Sequence, residues 1–160
     1  MCPQTTTTAE IQHLLRRSVE LELNVSDLYS LYSRLYEEDI DFWWRISIEE
    51  KNHAALLRSG EQYLTLGIFP REVLLSKLDV IEEANRDIKE NIRKFREEPP
   101  DWEIAYRYAL FLENSAAELH FQDMMTEETP NRVLKIFQSL AGNDKDHARR
   151  IHALIQSRLG

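Results

Sequence analysis

Apolar residues recur every three or four positions along most of the chain, which is the period of one face of an α-helix. The first of these stripes follows Thr7 and Glu10, whose spacing predicts a capping box and a helix start near residue 8. The stripes predict five helices, over about residues 8–37, 39–66, 71–97, 102–127 and 130–158. The pattern therefore predicts an all-α protein.

Cap and stop residues separate the predicted helices. Asp39 and Asp41 are both candidate N-caps for the second helix, and Gly67 is its stop signal. Thr129, which precedes a proline, predicts the start of the last helix. These signals place the turns between the stripes, where chain reversal is needed to form a bundle.

Acidic residues interrupt four of the stripes at positions that should face the core. Two of these acids begin acid-x-x-His tetrapeptides, in which residues three apart project from nearly the same helix face. The candidate metal ligands are Glu22, Glu50, His53, Glu113, Asp144 and His147. Each lies near the middle of its predicted helix, so an up-and-down bundle would bring all of them to one level.

The third stripe carries no such acid. We therefore expect residues 71–97 to form a helical crossover between the second and third ligand-bearing helices. Whether this helix is continuous or broken near Asn85 is not decided by the pattern. The predicted architecture is a four-helix bundle with this added crossover.

Four carboxylates in an apolar core would repel one another without water, and two divalent cations would remove this repulsion. Oxygen ligands with a few imidazoles suit iron or manganese, and zinc can also bind such a set. Carboxylates stabilise the ferric state, which makes Fe(II) easy to oxidise. The ligand set therefore predicts reactions with peroxide or dioxygen.

Composition narrows the class of partner. The 160 residues include 28 acidic and 20 basic side chains, for a net charge of −8, which argues against a nucleic-acid partner. No apolar run approaches the length of a membrane span, and no signal pattern begins the chain. The only cysteine is Cys2, so we expect no internal disulfide and a cytoplasmic location.

The chain is expected to form one domain over residues 8–160, after a disordered N-terminus at residues 1–7. Trp43 and Trp44 are adjacent, so they cannot both face one core. An exposed tryptophan often marks an association surface, and we expect a homodimer or larger assembly.

With its motifs in this order, the chain resembles the ferritin-like superfamily, and most closely rubrerythrin-like di-iron carboxylate proteins. The resemblance implies a ferritin-like four-helix bundle that holds two iron ions and an oxidoreductase of the peroxidase or ferroxidase type. It also implies that Glu50 and Glu113 bridge the metals. Tyr29, seven residues after Glu22, corresponds to a tyrosine that often lies beside the metals and is the candidate catalytic residue.

Three features differ from the family pattern. Asp144 stands where a glutamate is usual, and it is one methylene shorter. Residues 114–116 are Asn-Ser-Ala, so the extra glutamate that peroxide-reducing rubrerythrins carry three residues after the position of Glu113 is absent. No cysteine-rich rubredoxin-type segment follows, so an electron donor would be a separate protein.

Two other functions stay open at the level of sequence. One is iron storage or delivery in a larger assembly, which a subunit count would distinguish from a redox enzyme. The other is a metal-free helical interaction module, which would keep its melting temperature when chelated.

Overall fold

The computed structural model describes residues 7–69, 77–115, 128, 130–140 and 147–160, without the side chains of residues 136, 137, 139 and 140. Within these ranges the chain is all-α and contains no strand. The helices are α1 (Thr8–Leu35), α2 (Ile40–Thr65), α3 (Leu78–Glu97), α4 (Trp102–Glu113), α5 (Arg132–Leu140) and α6 (His147–Leu159), with a 3-10 turn at Glu37–Asp39. None of these helices combines the length and the apolar character that a membrane crossing requires.

The predicted capping box at the start of α1 is confirmed. The Thr7 hydroxyl accepts a hydrogen bond from the Glu10 backbone N–H at 3.2 Å, and the Glu10 carboxylate accepts one from the Thr7 N–H at 2.7 Å. Two backbone donors at the helix start, which have no partner within the helix, are satisfied in this way.

The predicted stop at Gly67 is also confirmed. Gly67 has φ +70°, a left-handed conformation that glycine adopts without steric cost. The N–H of Ile68 donates to the carbonyl of Tyr63, and the N–H of Gly67 donates to that of Leu64, each at 3.0 Å. These two bonds form a Schellman motif, which satisfies the last carbonyls of α2.

The crossover helix is shorter and more regular than predicted. Lys77 lies outside the helix, so α3 begins at Leu78 rather than at residue 71, and residues 70–76 lie outside the described residues. The helix continues through Asn85 without a break, because the side chain of Asn85 is buried and bonded rather than competing for the backbone.

The last two predicted helices also differ from the structure. The fourth helix ends at Glu113, followed by a turn, and residues 116–127 lie outside the described residues. The last begins at Arg132 rather than at residue 130, because the side chain of Asn131 accepts the N–H groups of Val133 and Leu134 and acts as the cap. The described parts of the predicted helix 130–158 are α5 and α6.

The core forms where α2 and α3 pack on α1 and where α6 packs on α4. Trp43 is fully buried in it, and Trp44 is 52% exposed, which confirms that the two tryptophans do not share one core. Tyr29, Tyr32 and Tyr106 are also fully buried and surround Trp43. This aromatic centre packs between α1, α2 and α4, three of the helices that carry candidate ligands.

A buried pair of amides holds the crossover helix on α1. Asn24 Nδ2 donates to Asn85 Oδ1 at 2.7 Å, and Asn85 Nδ2 donates to the carbonyl of Arg17 at 3.1 Å. Buried amides are tolerated only where their hydrogen bonds are made, so this pair allows one register of α3 against α1.

We expect Asn24→Ala to lower the free energy of unfolding by about 1–3 kcal/mol, because Asn85 Oδ1 then loses its buried donor. Urea denaturation of Asn24→Ala, Asn85→Ala and the double variant measures the coupling. The double variant should cost less than the sum of the single variants, and strictly additive costs would contradict a register-fixing pair.

Candidate metal centre

Five of the six predicted ligand residues meet in the core. Glu22 comes from α1, Glu50 and His53 from α2, Glu113 from the last residue of α4 and His147 from the first residue of α6. Each of them is buried, with at most 8% of its surface exposed. The sixth predicted ligand, Asp144, lies outside the described residues.

The first group of potential ligands consists of Glu22, Glu50 and His53, whose ligand atoms all lie within 4.8 Å of one another. His53 Nδ1 donates to Glu50 Oε2 at 3.0 Å and lies 3.5 Å from Glu22 Oε2. Glu22 Oε2 is buried with no hydrogen-bond partner among the described residues. A buried carboxylate oxygen without a donor is costly, and a cation would satisfy it.

The second group consists of Glu50, Glu113 and His147, again with ligand atoms within 4.8 Å of one another. His147 Nδ1 lies 2.6 Å from Glu50 Oε1 and 3.7 Å from Glu113 Oε1. The imidazole rings of His53 and His147 are stacked, with centroids 5.6 Å apart and planes inclined by 25°. The two groups are therefore adjacent, with one imidazole in each.

Glu50 is the residue common to both groups. Its Oε2 faces His53 and its Oε1 faces His147, so its two oxygens point toward different groups. This is the arrangement that a carboxylate bridging two cations requires. Glu113 belongs to the second group only, and its bridging role stays a prediction.

A hydrogen bond one turn from Glu50 holds α1 against α2. Ser26 Oγ donates to the carbonyl of Ser47 at 2.7 Å, and both serines are fully buried. Small side chains at this contact let the two helices approach closely, and the bond fixes their rotation. Glu22, on the turn before Ser26, is thereby brought to the level of Glu50 and His53.

Burial and mutual charge set the protonation of the cluster. Burial raises the pKa of Glu22 to about 8, and the charge of Glu50 adds to this effect. Burial also acts to raise the pKa of Glu50, but the imidazoles of His147 and His53 outweigh it and hold that pKa below its ordinary value. Protons therefore compensate the buried carboxylates when no cation is bound.

The two imidazoles hold those protons. Burial acts to lower the pKa of His53, but Glu22 and Glu50 raise it well above its ordinary value. Burial likewise acts to lower the pKa of His147, but Glu50 and Glu113 outweigh burial and raise that pKa above its ordinary value. Both Nδ1 atoms face carboxylates, so a cation that bound there would replace a proton on each ring.

Glu49 and Arg150 belong to the site, and the sequence reasoning missed both. His147 Nε2 donates to Glu49 Oε2 at 2.8 Å, and Arg150 donates to the same oxygen at 2.5 Å and to Glu49 Oε1 at 3.2 Å. Burial acts to raise the pKa of Glu49, but His147 and Arg150 lower it to about 2. This ionised carboxylate fixes the orientation of the His147 ring, with Nδ1 directed at the cluster.

A weak sequence signal for this pair exists. Glu49 adjoins Glu50, and Arg150 follows His147 by three residues, so each is a near neighbour of a predicted ligand. Charged residues at such positions are common on solvated helix faces. Only the packing of α6 against α2 shows that Glu49 and Arg150 bond each other at the site and do not simply face solvent.

Tyr29 lies beside the second group, as predicted. Its hydroxyl donates to Glu113 Oε1 at 2.5 Å, and its ring is fully buried. The bond holds one oxygen of Glu113 in a fixed direction. Its role as a catalytic residue stays a prediction.

The residues present fit a pair of divalent cations. Carboxylate oxygens and imidazole nitrogens of the right types converge in two buried groups, and Glu22 Oε2 lacks a protein donor. The described residues therefore provide two buried Glu/His groups that could each hold a metal ion.

The metal-free protein should lose stability as pH rises through the neutral range. The pKa of Glu22 is about 8 in the folded chain and near 4.5 when unfolded, so the folded state holds the extra proton between these values. The raised imidazole pKa values extend the same trend above pH ~6.5. Stability from these groups is therefore fully present in acid and is lost toward alkaline pH.

Urea denaturation in chelator at a series of pH values measures this trend. Glu22→Gln removes the ionisable carboxyl group, so the stability of this variant should fall less steeply between pH ~5 and ~8 than the stability of the native chain. Glu20→Gln on the same helix, where Glu20 pairs with Arg17 and Lys89, is the matched control. Equal slopes for the native chain and Glu22→Gln would contradict the assignment.

Comparison with known proteins gives no family for this chain. It matches no protein-family model, no curated protein and no solved structure. The geometry of the Glu/His groups therefore carries the functional argument.

Proposed function

We propose that the protein binds two metal ions, iron or manganese in preference to zinc, and is an oxidoreductase that reacts Fe(II) with peroxide or dioxygen. The observation that carries the proposal is Glu50, whose two oxygens face imidazoles in two adjacent buried groups. Glu22 and His53 would hold one ion, Glu113 and His147 the other, and Glu50 would contact both. This is the site that the resemblance to rubrerythrin-like di-iron proteins leads us to expect.

The cost of burying these groups supports a metal site over a purely structural ion cluster. Ion pairs in an apolar core gain little net stability over well-packed hydrophobic residues, because desolvation offsets their attraction. Here three carboxylates and two imidazoles are concentrated between four helices. A cluster of this composition is more readily explained by a bound ligand than by stability.

The burial of the site favours a small oxidant. All five described ligands expose at most 8% of their surface, so an organic substrate would have to open the bundle to reach them. Peroxide and dioxygen are small enough to enter through ordinary fluctuations of the packing. Exclusion of bulk water also strengthens every charge interaction within the cluster.

Bound iron would supply the one-electron chemistry with the oxidant. The chain's own residues do the positioning: Glu49 and Arg150 hold the His147 ring, and Tyr29 holds Glu113. These bonds keep ligand atoms in place without bound metal, which lowers the reorganisation that metal binding requires. Tyr29 would also be placed to exchange a proton with Glu113 Oε1.

Metal stoichiometry tests the assignment of residues to the two groups. The native chain should bind two equivalents of Fe(II) or Mn(II), measured by elemental analysis after anaerobic loading and desalting. Glu22→Gln should retain one equivalent, whereas Glu50→Gln should lose both, because only Glu50 belongs to both groups. Glu20→Gln should behave as the native chain, and equal retention in Glu22→Gln and Glu50→Gln would exclude a shared ligand.

Oxidation of Fe(II) tests the reaction. Stopped-flow absorbance of the anaerobic Fe(II) protein mixed with peroxide or with dioxygen should show rapid oxidation in the native chain. Glu50→Gln should slow it by roughly two orders of magnitude or more, because loss of a group that merely orients a metal ligand already costs about 10–100-fold. A slow reaction equal to that of free Fe(II) in both proteins would remove the proposal.

The same samples distinguish the alternatives. A shell of many subunits by size-exclusion mass would favour iron storage or delivery. No bound metal, with a melting temperature that chelator leaves unchanged, would favour a metal-free helical module, since a metal that binds only the folded state adds stability.

A further inference from the structure

A chain of redox-active aromatic rings connects the candidate metal centre with the protein surface. Tyr29, whose hydroxyl contacts Glu113, lies with its ring centroid 5.2 Å from that of Trp43. Trp43 lies 4.8 Å from Tyr106, and Tyr106 lies 5.5 Å from Trp102. Trp102 is only half-buried, at the first residue of α4. Four rings in successive contact thus run from the centre to solvent.

We propose that Tyr29, Trp43, Tyr106 and Trp102 form an electron relay between an external one-electron reductant and the metal centre. The proposal rests on the proposed function, because the centre must hold a metal that changes oxidation state. It adds the route by which electrons reach that metal, and the surface at which they enter.

Hydrogen bonds distinguish the relay tyrosines from their neighbours. A tyrosine that loses an electron near neutral pH must also lose its proton, so it needs a nearby base. Tyr29 donates to the carboxylate of Glu113 at 2.5 Å, and Tyr106 donates to that of Asp39 at 2.6 Å. Tyr32 is as close to Trp43, at 5.0 Å, but donates to the backbone carbonyl of Ala105, which is a much weaker base.

The tryptophans are suited to pass charge without moving a proton. Trp43 Nε1 is buried and donates to no carboxylate or carbonyl among the described residues, so no base removes its proton. The Arg158 guanidinium lies over the Trp102 ring at 5.6 Å and also donates to Asp39 Oδ2. Arg158 therefore holds together the outermost ring and the proton acceptor of the next one.

Packing alone does not explain why these four rings are tyrosine and tryptophan. Phenylalanine would fill similar space with no polar atom to satisfy, as Phe42 and Phe95 do at the edge of the same cluster. Tryptophan and tyrosine at these positions instead bury an N–H and a hydroxyl. The two tyrosine hydroxyls bond Glu113 and Asp39, and all four rings, unlike phenylalanine, can also be oxidised.

Each transfer along the relay conserves electrons and protons. The external reductant would give one electron to the relay at Trp102, and Tyr29 would give one electron to a bound metal that the oxidant had oxidised, lowering the oxidation state of that metal by one. When Tyr106 passes its electron inward, its phenolic proton moves to Asp39 and returns when the electron from Trp102 arrives. Tyr29 exchanges its proton with Glu113 in the same way, so the rings are unchanged after each transfer.

The experiment compares Trp43→Phe and Tyr106→Phe with Tyr32→Phe as the matched control. Each protein is loaded with Fe(II), oxidised with peroxide, and then re-reduced with soluble ascorbate while absorbance follows the ferric centre. Samples frozen after the peroxide step are examined by electron paramagnetic resonance for an aromatic radical. Iron content is measured on every sample.

The two relay variants should keep the native iron content and the native rate of the first oxidation. They should slow re-reduction by an order of magnitude or more and change the radical signal, whereas Tyr32→Phe should match the native chain. Tyr106→Phe removes a single oxygen atom, so it remains informative if Trp43→Phe fails to fold. Native re-reduction rates in iron-loaded Tyr106→Phe would overturn the relay.

If the protein binds no iron, the proposed function is wrong. Electron transfer along the rings is then tested separately, on the metal-free chain. In a Trp44→Phe background, a ruthenium polypyridyl photo-oxidant in solution generates a tryptophanyl radical on the metal-free chain. Transient absorption should show this radical converting to a tyrosyl radical when Trp44→Phe is the only change, and persisting when Tyr106→Phe is added. Identical decay in the two proteins would overturn the relay.

Discussion

The structure depends on how Glu50 is buried. Its carboxylate lies in the core between helices, where an isolated charge would be prohibitively costly, and the imidazoles of His53 and His147 make that burial possible. Those two residues come from different helices, so the charge of Glu50 also holds α6 against α2. The site is therefore part of the core packing, and removal of one partner leaves an uncompensated charge.

A second layer of bonds fixes the groups that face Glu50. Arg150 holds Glu49, Glu49 holds His147, and Tyr29 holds Glu113. Glu49 bonds the His147 nitrogen that points away from the cluster, which leaves Nδ1 directed at it, whereas Tyr29 bonds Glu113 Oε1, the oxygen that lies 3.7 Å from His147 Nδ1. Protons on the imidazoles and on Glu22 offset the charge of the carboxylates wherever no cation is bound, because burial and the neighbouring carboxylates raise the pKa values of these groups.

One set of aromatic contacts serves both the packing of the bundle and the proposed relay. Trp43 and its neighbouring tyrosines fill the space between α1, α2 and α4 and are among the largest fully buried side chains of the described residues. Because Tyr29 contacts Glu113 and Trp102 reaches solvent, the same rings also form a continuous path from the centre outward. In the proposed di-metal oxidoreductase, this path would connect an electron donor at the surface with the buried centre.

The sequence by itself determined the helical pattern and most of the candidate ligands. Periodic apolar positions define helical faces whatever their partners are, and an acid at Glu22, Glu50 or Glu113 is conspicuous on such a face because burial penalises it. Local signals such as the Thr7 capping box and the Gly67 stop involve only neighbouring residues, so they could be read directly. Tertiary structure alone decided which neighbours the ligands have. Glu49 and Arg150 lie 101 positions apart and Asn24 and Asn85 lie 61 apart, and neither pair has a periodic signature, because a contact between helices depends on their packing and not on local spacing.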